Sequence, residues 1–347
     1  MANNLPNLVD WARRADPEGK IAKIAEVLSQ CNEILKDMLW SESNAPMSHT
    51  STVRTSLPQG TWRNLNQGVQ STKSNTAQFT DGLGELSAYS FIDRSIAELN
   101  GEVAAFRWSE DMAFIEGMSQ QVATALFYSN EATAQNQFTG LAPRYNTIST
   151  STALSAANVI DAGGTGSSNA SIWLVGHGNT TTFGLFPKGS KAGLIHEDKG
   201  DIVPVTDASG NQFEAYRSFF RWQLGLCVRD WRYNARIANI DTTTAGLQGT
   251  APYDIFAGMS KLVVRLPTAS RRLSGITESD AATDPVPGTN PIFYVNRTVR
   301  EFMDIQAIRD KNVLIDSKEY AGSPVVTFRE TPIRVVDALL STEARIV

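Results

Sequence analysis

Cysteine and histidine are scarce in this sequence, which has two cysteines and three histidines in 347 residues. Cys31 and Cys227 lie far apart along the chain, which excludes a disulfide framework or a zinc ribbon as the basis of the fold. The sequence has no run of about 18 apolar residues for a membrane span, and its N-terminus has no apolar signal core. We therefore expect no membrane association and a reduced, cytosolic history, with accidental glycosylation triplets at Asn169, Asn179 and Asn296.

Positive charge is also in deficit. Lys and Arg number 31 against 36 Asp and Glu, which gives a net charge of −5 and a pI near 5.4. A dedicated nucleic-acid binder needs a basic surface to meet phosphates, so this balance argues against that class but not against a container that encloses nucleic acid. A hydrophobic content of 41% and a charged content of 19% are typical of a folded chain, and its length predicts roughly two domains.

The clearest periodic signal lies between Trp108 and Asn130. Its apolar residues recur every three or four positions, as the buried face of a helix requires: Trp108, Met112, Ile115, Met118, Val122 and Leu126. We expect the hydroxyl of Ser109 to cap the start of this helix. At ~1.5 Å per residue the helix would extend about 33 Å, which is enough to cross a whole domain.

A polar stretch from Ala45 to Gly84 precedes this helix. Hydroxyl and amide side chains dominate it, and a turn is predicted at residues 58–60 between short strands at 51–57 and 61–65. A few apolar residues are interspersed: Val53, Leu57, Trp62, Leu65 and Val69. Such a segment cannot bury much of itself, so it is either disordered or a long hairpin that packs on something else.

The remaining sequence predicts short helices and antiparallel strands in separate stretches. Residues 1–15 have no periodicity and are expected to form an extended arm, whereas Asp16 and Pro17 open an amphipathic helix that continues to Leu39. This helix could lie on its own domain or on a neighbouring subunit. We also predict a strand or helix at 86–99, strands at 171–175, 180–186 and within 217–240, helices opening at Pro252 and Asn290, and a terminal hairpin at 322–340. This segregation predicts an α+β fold.

Two glycine-containing segments superficially suggest nucleotide chemistry. Gly176-His177-Gly178 follows a predicted strand, but a dinucleotide-binding fingerprint needs glycine where Thr181 stands and a helix where a strand is predicted. The segment Gly189-Ser190-Lys191-Ala192-Gly193 matches neither a nucleophile elbow nor a phosphate-binding loop. We interpret both segments as turns.

The histidines do not form a metal-binding pattern. His49, His177 and His196 have no second His or Cys at a ligand spacing, and the run His196-Glu197-Asp198 is better interpreted as a solvated loop. No pair of carboxylates stands out as an acid and base pair. We therefore predict no catalytic, cofactor-binding or metal-binding residue, no cofactor and no enzymatic activity.

Basic and aromatic residues alternate in one strand region: Arg217, Arg221, Arg229, Arg232 and Arg236 with Phe219, Trp222, Trp231 and Tyr233. This composition is found in grooves that bind single-stranded nucleic acid. The alternative is an outward strand face whose arginines pair with acidic residues of the same or a neighbouring chain. On an acidic chain we favour the second interpretation.

The order of these segments resembles that of the major capsid proteins of tailed bacteriophages with the Hong Kong 97-type fold. The order is arm, helix, polar hairpin, long helix, glycine-punctuated β region and terminal hairpin. The segments that carry the resemblance are FTGLAPRY at 138–145, SIWLVG at 171–176, FGLFPKGS at 183–190, RIANID at 236–241, GSPV at 322–325 and PIR at 332–334. They are structural segments and contain no catalytic signature.

The resemblance implies a role for each part of the chain. It implies an N-terminal arm and helix at 1–44, an extended loop at 45–90, a peripheral domain with a spine helix at 91–150, an axial domain at 151–315 and a terminal hairpin at 316–347 that returns to the peripheral domain. The extended loop would reach over the adjacent subunit. Some members cross-link covalently through Lys and Asn; Lys73 lies in the predicted loop, but nothing in the sequence marks it as reactive.

The same resemblance implies a structural function. Copies of the chain would form the pentamers and hexamers of an icosahedral head, built in the host cytoplasm, that encloses double-stranded DNA without sequence-specific binding. The implied partners are a portal, a scaffolding protein that is separate or already removed, and a cement or decoration protein. The sequence leaves three alternatives: an encapsulin-like shell around a cargo enzyme, a nucleotide-using α/β enzyme, and a phage tube or decoration protein.

Overall fold

The computed structural model describes residues 6, 28–99, 101–198, 202–206, 210–243, 246–247, 249, 252–267, 289–309, 315–320 and 323–347. Its helices are α1 (Ile34–Asp37), α2 (Arg94–Ala97), α3 (Val103–Tyr128), α4 (Leu141–Arg144), α5 (Ile255–Arg265) and α6 (Arg297–Arg309). Its strands are β1 (Trp40–Glu42), β2 (Ser48–Ser56), β3 (Asn75–Asp93), β4 (Val159–Asp161), β5 (Asn169–His177), β6 (Thr182–Phe186), β7 (Ile195–Asp198), β8 (Val203–Thr206), β9 (Gln212–Val228), β10 (Asn234–Asp241), β11 (Asn290–Val295), β12 (Ile315–Tyr320), β13 (Ser323–Phe328) and β14 (Thr331–Val335).

The described strands form one mixed sheet. Its main path runs β12-β13-β14-β11-β5-β6-β9-β3-β2, and β1, β4, β7, β8 and β10 pair alongside that path. The longest pairing is the antiparallel ribbon of β3 and β9, in which Leu83 faces Gly225 and Asp93 faces Ala215. A few pairs are parallel, such as β11 with β14. A largely antiparallel sheet with separate helices confirms the predicted α+β class.

Helices cover both faces of the central strands. Alternate residues of β5 point to opposite faces, so Trp173 packs in the same cluster as Leu126 and Phe127 of α3, whereas Ile172 and Leu174 pack with residues of α5 and α6. Every residue of β5 is buried. The sequence of a strand that is covered on both faces is apolar throughout and does not alternate between apolar and polar residues. This explains the local sequence SIWLV.

The long predicted helix is α3, and it starts earlier than the sequence predicted. Ser109 is not its cap, because the Ser109 hydroxyl lies within the helix and donates to the Phe106 carbonyl at 2.8 Å. The buried residues in the C-terminal half follow the predicted stripe. In the N-terminal half Trp108 and Met112 are exposed, because the buried Phe106 packs instead against Ile92 and Ala97 of β3 and α2.

The prediction of a helix opening at Asn290 and Pro291 is wrong. These residues begin strand β11, where Pro291 lies opposite Gly176 of β5. The buried run after Pro291 suits a strand, and α6 begins after it, with Asn296 accepting a hydrogen bond from the Val299 amide at 2.8 Å. Helix α5 begins after Pro252, where the Asp254 carboxylate accepts from the Ala257 amide at 2.9 Å.

The N-terminal predictions fall largely outside the described residues. Apart from Pro6, the arm at 1–15 and the helix from Asp16 to residue 27 are not among them. Residues 28–33 are not helical, so the prediction of one continuous helix to Leu39 is wrong there, and only α1 is helical. The strand predicted at 61–65 is also absent from the described structure, because that stretch belongs to a long connection between β2 and β3.

Residues 336–347, which we call the strap, run across the sheet and the end of α3. The Glu343 carboxylate is buried and accepts hydrogen bonds from Tyr128 of α3 and Ser171 of β5, and it pairs with Arg236 of β10 at 2.8 Å. Further along, the Ile346 amide donates to the Asn239 side chain at 2.8 Å. The strap therefore ties α3 to strands β5 and β10.

Candidate functional site

A two-stranded hairpin projects from the sheet. Strands β2 and β3 pair from Ser48–Gly82 to Ser56–Asn75, and residues 57–74, which we call the tip, connect them. Every residue from Arg54 to Lys73 is exposed. Trp62 is 102% exposed, and Leu65 is nearly as exposed. Large apolar side chains without a partner in their own chain mark a surface that binds something else.

The base of the hairpin is anchored by buried polar contacts. Arg144 of α4 pairs with the buried Asp81 of β3 at 2.7 Å and donates to the carbonyls of Thr139 and Leu226 at 3.2 Å. The Cys227 thiol lies 3.7 Å from the Ser51 hydroxyl, and burial raises the pKa of this thiol to about 12. The thiol therefore stays protonated near neutral pH, and the hairpin leaves the sheet from a fixed base.

An open groove of about 700 Å³ lies between α3 and β3, and we call it the helix–strand groove. Its floor includes the apolar residues Val122, Phe138 and Leu224. Its walls carry amide side chains: Gln30, Gln120, Gln121, Asn136 and Gln137. Glu85 is the charged residue among the described lining residues, which include neither Lys nor Arg.

Two further carboxylates stand beside this groove. Glu116 accepts hydrogen bonds from the Gln30 amide at 3.0 Å and from the Gln120 side chain at 2.9 Å. The Glu131 carboxylate lies 3.1 Å from the position that a Cβ atom would take on Gly82 of β3. Within the described part of the chain, neither these two groups nor Glu85 forms an ion pair. The groove is therefore acidic.

The glycine motif at 176–178 does not form a phosphate-binding turn. Gly176 lies inside β5, where a Cβ atom would come within 2.9 Å of the Tyr233 carbonyl oxygen, so glycine is required for close packing. The Thr181 hydroxyl donates to the Gly176 carbonyl at 2.7 Å and closes the turn, and strand β6 follows it. A helix N-terminus, which would hold a phosphate, does not follow this motif. Gly189 likewise lies in a turn between strands, with a φ of 78°.

His177 is a buried structural residue. Its Nε2 atom lies 2.8 Å from the Tyr294 hydroxyl, which donates to Asp37 at 3.2 Å. The hydrogen-bond pattern assigns the imidazole proton to Nε2, because the Tyr294 hydroxyl uses its own proton on Asp37. Burial lowers the pKa of His177 to about 4, so the ring is neutral at physiological pH.

The other two histidines lie in separate surroundings. His49 of β2 accepts a hydrogen bond from the Asn44 amide at 3.3 Å and meets the Phe183 ring edge-on, and partial burial lowers its pKa. His196 of β7 stacks on Phe220 and lies 3.4 Å from the buried Asp111. The described residues contain no group of three or more His, Cys, Asp or Glu side chains placed to hold a metal ion.

Three of the five arginines of the strand region make intrachain contacts through their side chains. Arg236 is 4% exposed, pairs with Glu343 and lies 4.7 Å over the Trp173 ring. Arg232 pairs with Asp230 at 2.7 Å, and Arg217 lies over the Tyr89 ring. The aromatic residues Trp222 and Tyr233 are buried. This distribution favours intrachain pairing over a groove for single-stranded nucleic acid.

None of the described helices is long and apolar enough to cross a membrane.

Together, the projecting hairpin, the long helix and the mixed sheet define a class of proteins: the capsid proteins with the Hong Kong 97-type fold. A family model described as major capsid protein GP7 matches residues 16–347. The chain belongs to this family. It is a structural component of a tailed-phage capsid shell, and therefore of the virion, and it assembles with further copies of itself.

The chain is also similar to solved structures. A chain in the near-atomic structure of bacteriophage epsilon15 is 34% identical, with a TM-score of 0.72 over 100% of this chain and 98% of that chain. The bacteriophage JBD30 capsid is 11% identical, with a TM-score of 0.45 over 90% and 93%. An encapsulin complex from Synechococcus elongatus is 11% identical, with a TM-score of 0.40 over 67% and 95%. No curated protein sequence matches the chain.

These findings favour the capsid hypothesis over the encapsulin and enzyme alternatives. Sequence reasoning found the projecting segment through its polar composition and its unburied apolar residues. It missed the helix–strand groove, whose walls come from residues 30, 84–86, 117–129, 136–138 and 224. The run of amides at Gln120 and Gln121 was a weak signal of a polar helix face, but no local pattern places it opposite β3.

Proposed function

We propose that this chain builds a closed icosahedral head of pentamers and hexamers that encloses a double-stranded DNA genome, and that it catalyses no reaction. The observation that carries the proposal is the hairpin tip, where Trp62 and Leu65 are exposed at the end of a ribbon anchored by Asp81 and Arg144. Folding gains nothing from exposing these side chains, whereas burial against another subunit removes them from water. Head-to-tail contacts of this kind close into rings when the rotation between subunits permits.

Each part of the chain has a proposed role. Residues 1–44 form the N-terminal arm and helix, 45–90 the extended loop, 91–150 the peripheral domain with α3 as its spine, 151–315 the axial domain, and 316–347 the terminal hairpin that returns to the peripheral domain. The last assignment is supported by Val336, Ala338 and Leu339, which pack in the same cluster as Leu126 and Phe127 of α3.

Further partners are proposed for assembly. A separate scaffolding protein and a portal would act while the shell forms, and a cement or decoration protein would bind afterwards. The DNA would be held without sequence-specific contacts, because a chain of net charge −5 supplies no strong basic field. Assembly would take place in the host cytoplasm.

Negative-stain electron microscopy of the purified protein, paired with light-scattering mass, tests the proposed function. Closed shells, or five- and six-membered rings, are the expected result. If the 37.8 kDa chain stays monomeric, the measurement is repeated on protein co-expressed with a candidate scaffolding protein. Rods, trimers or a persistent monomer under both conditions would contradict the proposal.

A further inference from the structure

We propose that the face of the β3–β9 ribbon that points away from α3 binds a cement protein, a second protein that attaches to the closed shell and stays there. Two arginines of this face would pair with carboxylates of that protein. We call this surface the aromatic sheet face, and its side chains are Tyr89, Phe91, Ile195, Arg217, Phe219 and Arg221. The inference rests on the proposed function, because it requires a shell, and it goes further by naming the surface and the chemistry of recognition.

The two faces of strand β9 have different surroundings. On one face Phe220, Trp222 and Leu224 lie in the main core with residues of α3, and the Phe220 ring stacks on Phe114 with 5.7 Å between the ring centres. The residues between them point away from α3, because side chains alternate along a strand. Residues paired directly across strands share a face, so the pairing register shows which side chains of β3 and β7 lie with them.

The rings of the aromatic sheet face contact one another. Tyr89 lies directly across from Phe219, with 4.6 Å between the ring centres, and Phe91 stacks on Tyr89 at 5.7 Å. The hydrophobic clusters of the described residues include neither Tyr89, Phe91 nor Ile195. Tyr89 is 49% exposed. The described part of the chain therefore leaves an aromatic surface on this side of the ribbon uncovered.

Two arginines flank these rings without an acidic partner. Arg217 lies across from Phe91, and Arg221 lies across from Ile195 of β7. Among the described residues neither arginine forms an ion pair, and the Nε atoms of both are buried without an acceptor. A guanidinium group binds the two oxygens of a carboxylate through parallel hydrogen bonds. Carboxylates from outside the chain would supply the acceptors that both side chains lack.

The composition and shape of this face favour a protein as its partner. Tyr, Phe and Arg are enriched at the centres of protein interfaces. A flat sheet face packs well on another protein surface, whereas small ligands bind in clefts. A strand of nucleic acid would need a stronger positive field than a chain of net charge −5 supplies.

The size of the face favours a partner that contacts several copies. Val203 and Val205 of β8 extend it, across from Ala215 and Phe213. At ~4.8 Å between strands and ~3.3 Å per residue, β3, β9 and the strands beyond β9 present about 400 Å² between residues 213 and 221. Each partner of a stable interface contributes about 800 Å². One copy would therefore bind weakly.

A closed shell changes this balance. It presents the face many times at fixed spacing, so a protein that contacts several copies gains affinity through multivalency. Interfaces with an apolar centre are typical of permanent complexes and less so of transient ones. A cement protein, which binds after closure and is retained, meets both conditions, whereas a scaffolding protein has to leave.

Hydroxyl-radical footprinting tests the assignment on the parent chain. Mass spectrometry measures the oxidation of Tyr89, Phe91 and Phe219 in the unassembled chain, in shells of this chain and in complete virions. We expect similar rates in the first two samples and rates at least about fivefold lower in virions, because interface centres pack as densely as protein interiors. Protection already present in shells would show that another copy covers the face, and equal rates in all three samples would show that nothing binds there. Either result would overturn the inference.

Two further measurements on virions identify what covers the face. Virions emptied of DNA should keep the protection, and its loss on emptying would assign the face to DNA and overturn the inference. Benzoylphenylalanine in place of Tyr89 should crosslink to a second virion protein on irradiation. Crosslinks to another copy of this chain would equally contradict the proposal.

A double variant tests the recognition chemistry. Virions that carry Tyr89→Ser and Arg221→Glu should contain about tenfold less of the crosslinked protein per shell, because aromatic and arginine anchors carry most of the binding energy of an interface. Lys261→Glu, a charge reversal at an exposed position of α5, is the matched control and should keep the parent's amount. Thermal unfolding of the unassembled chains checks the fold, and electron microscopy checks closure. An unchanged amount in the double variant would contradict the proposal; if that variant does not fold, the footprints of the parent decide.

The two proposals fail in different ways. If the parent chain forms no rings or shells, alone or with a scaffolding protein, the proposed function fails. If it forms shells and the aromatic sheet face is as reactive in virions as in those shells, the proposed function stands and the assignment of a cement protein to this face fails.

Discussion

At the scale of single residues, His177 shows how burial converts a titratable group into a structural one. The ring lies against Tyr294, whose hydroxyl links it to Asp37, and Arg334 approaches Asp37 at 3.6 Å. Burial lowers the pKa of His177 from 6.5 to about 4. The unfolded chain therefore binds a proton more readily than the folded chain between these values, and stability falls as the pH drops from about 6.5 to about 4.

His177→Gln tests this linkage. Glutamine keeps an N–H for the Tyr294 hydroxyl but does not titrate, so the variant should lose less stability on acidification. The difference in the pH dependence of the free energy of unfolding should be about 3 kcal/mol between pH 6.5 and 4. Burial raises the pKa of Asp37, which changes the pH dependence of stability in the opposite direction. The parent and the His177→Gln variant share this contribution, so it cancels when the two are compared. Denaturant unfolding of the unassembled protein at a series of pH values measures the difference, and parallel curves would contradict the prediction.

At the scale of elements, the hairpin separates folding from assembly. Its base is held by the Asp81–Arg144 pair, whereas its tip contributes no buried apolar area to its own chain. The tip composition is therefore free to serve another surface without a cost to the fold. Helix α3 shows the reverse, because its buried residues Met118, Val122 and Leu126 lie in the main core.

Trp62→Ala should leave the fold intact and impair shell closure. The side chain touches no core residue, so the free energy of unfolding should change by less than about 0.5 kcal/mol. Circular dichroism and denaturant unfolding check the fold, and electron microscopy counts closed shells. Glu301→Ala, an exposed polar site on α6 outside the hairpin, serves as the control and should assemble normally. Unimpaired assembly of Trp62→Ala would show that the tip is not at a subunit contact.

At the scale of the whole molecule, the strap joins segments that are far apart in sequence. The Glu343 carboxylate accepts hydrogen bonds from Arg236, Ser171 and Tyr128, which lie on two strands and a helix. The Arg236 guanidinium also donates to the Tyr145 carbonyl at 3.0 Å, so its donors are used although it is buried. An ion pair of this kind contributes little net stability compared with apolar residues of similar size, but breaking one half of it leaves a buried charge unpaired.

Glu343→Ala should lower the free energy of unfolding by about 3–5 kcal/mol, because Arg236 would keep its charge without a partner. The double variant Arg236→Met, Glu343→Leu should be clearly more stable than the single variant, because it also removes the arginine charge that the single variant leaves buried and unpaired. Denaturant unfolding of the unassembled chains measures both. A loss below about 1 kcal/mol for Glu343→Ala would show that the buried pair does not hold the strap in place.

The sequence by itself determined the features that depend on local pattern. Helix periodicity located α3, because residues three or four apart share a face of a helix wherever the helix packs. The continuous apolar run of β5 and the polar, acid-free hairpin were equally visible, because burial and exposure follow from the side chains themselves. Local signals also misled at Ser109 and at Asn290, where a residue with cap chemistry lies inside a helix or a strand.

Only the tertiary structure decided which distant residues meet. Glu343 and Arg236 are 107 residues apart, and His177 and Tyr294 are 117 apart, so no spacing rule could pair them. The helix–strand groove is likewise lined by residues of α3 and β3, with Gln30 and Leu224 brought in from elsewhere in the chain. The physical reason is that a side chain's preference for core or solvent is a local property, whereas its partner is set by the path of the whole chain.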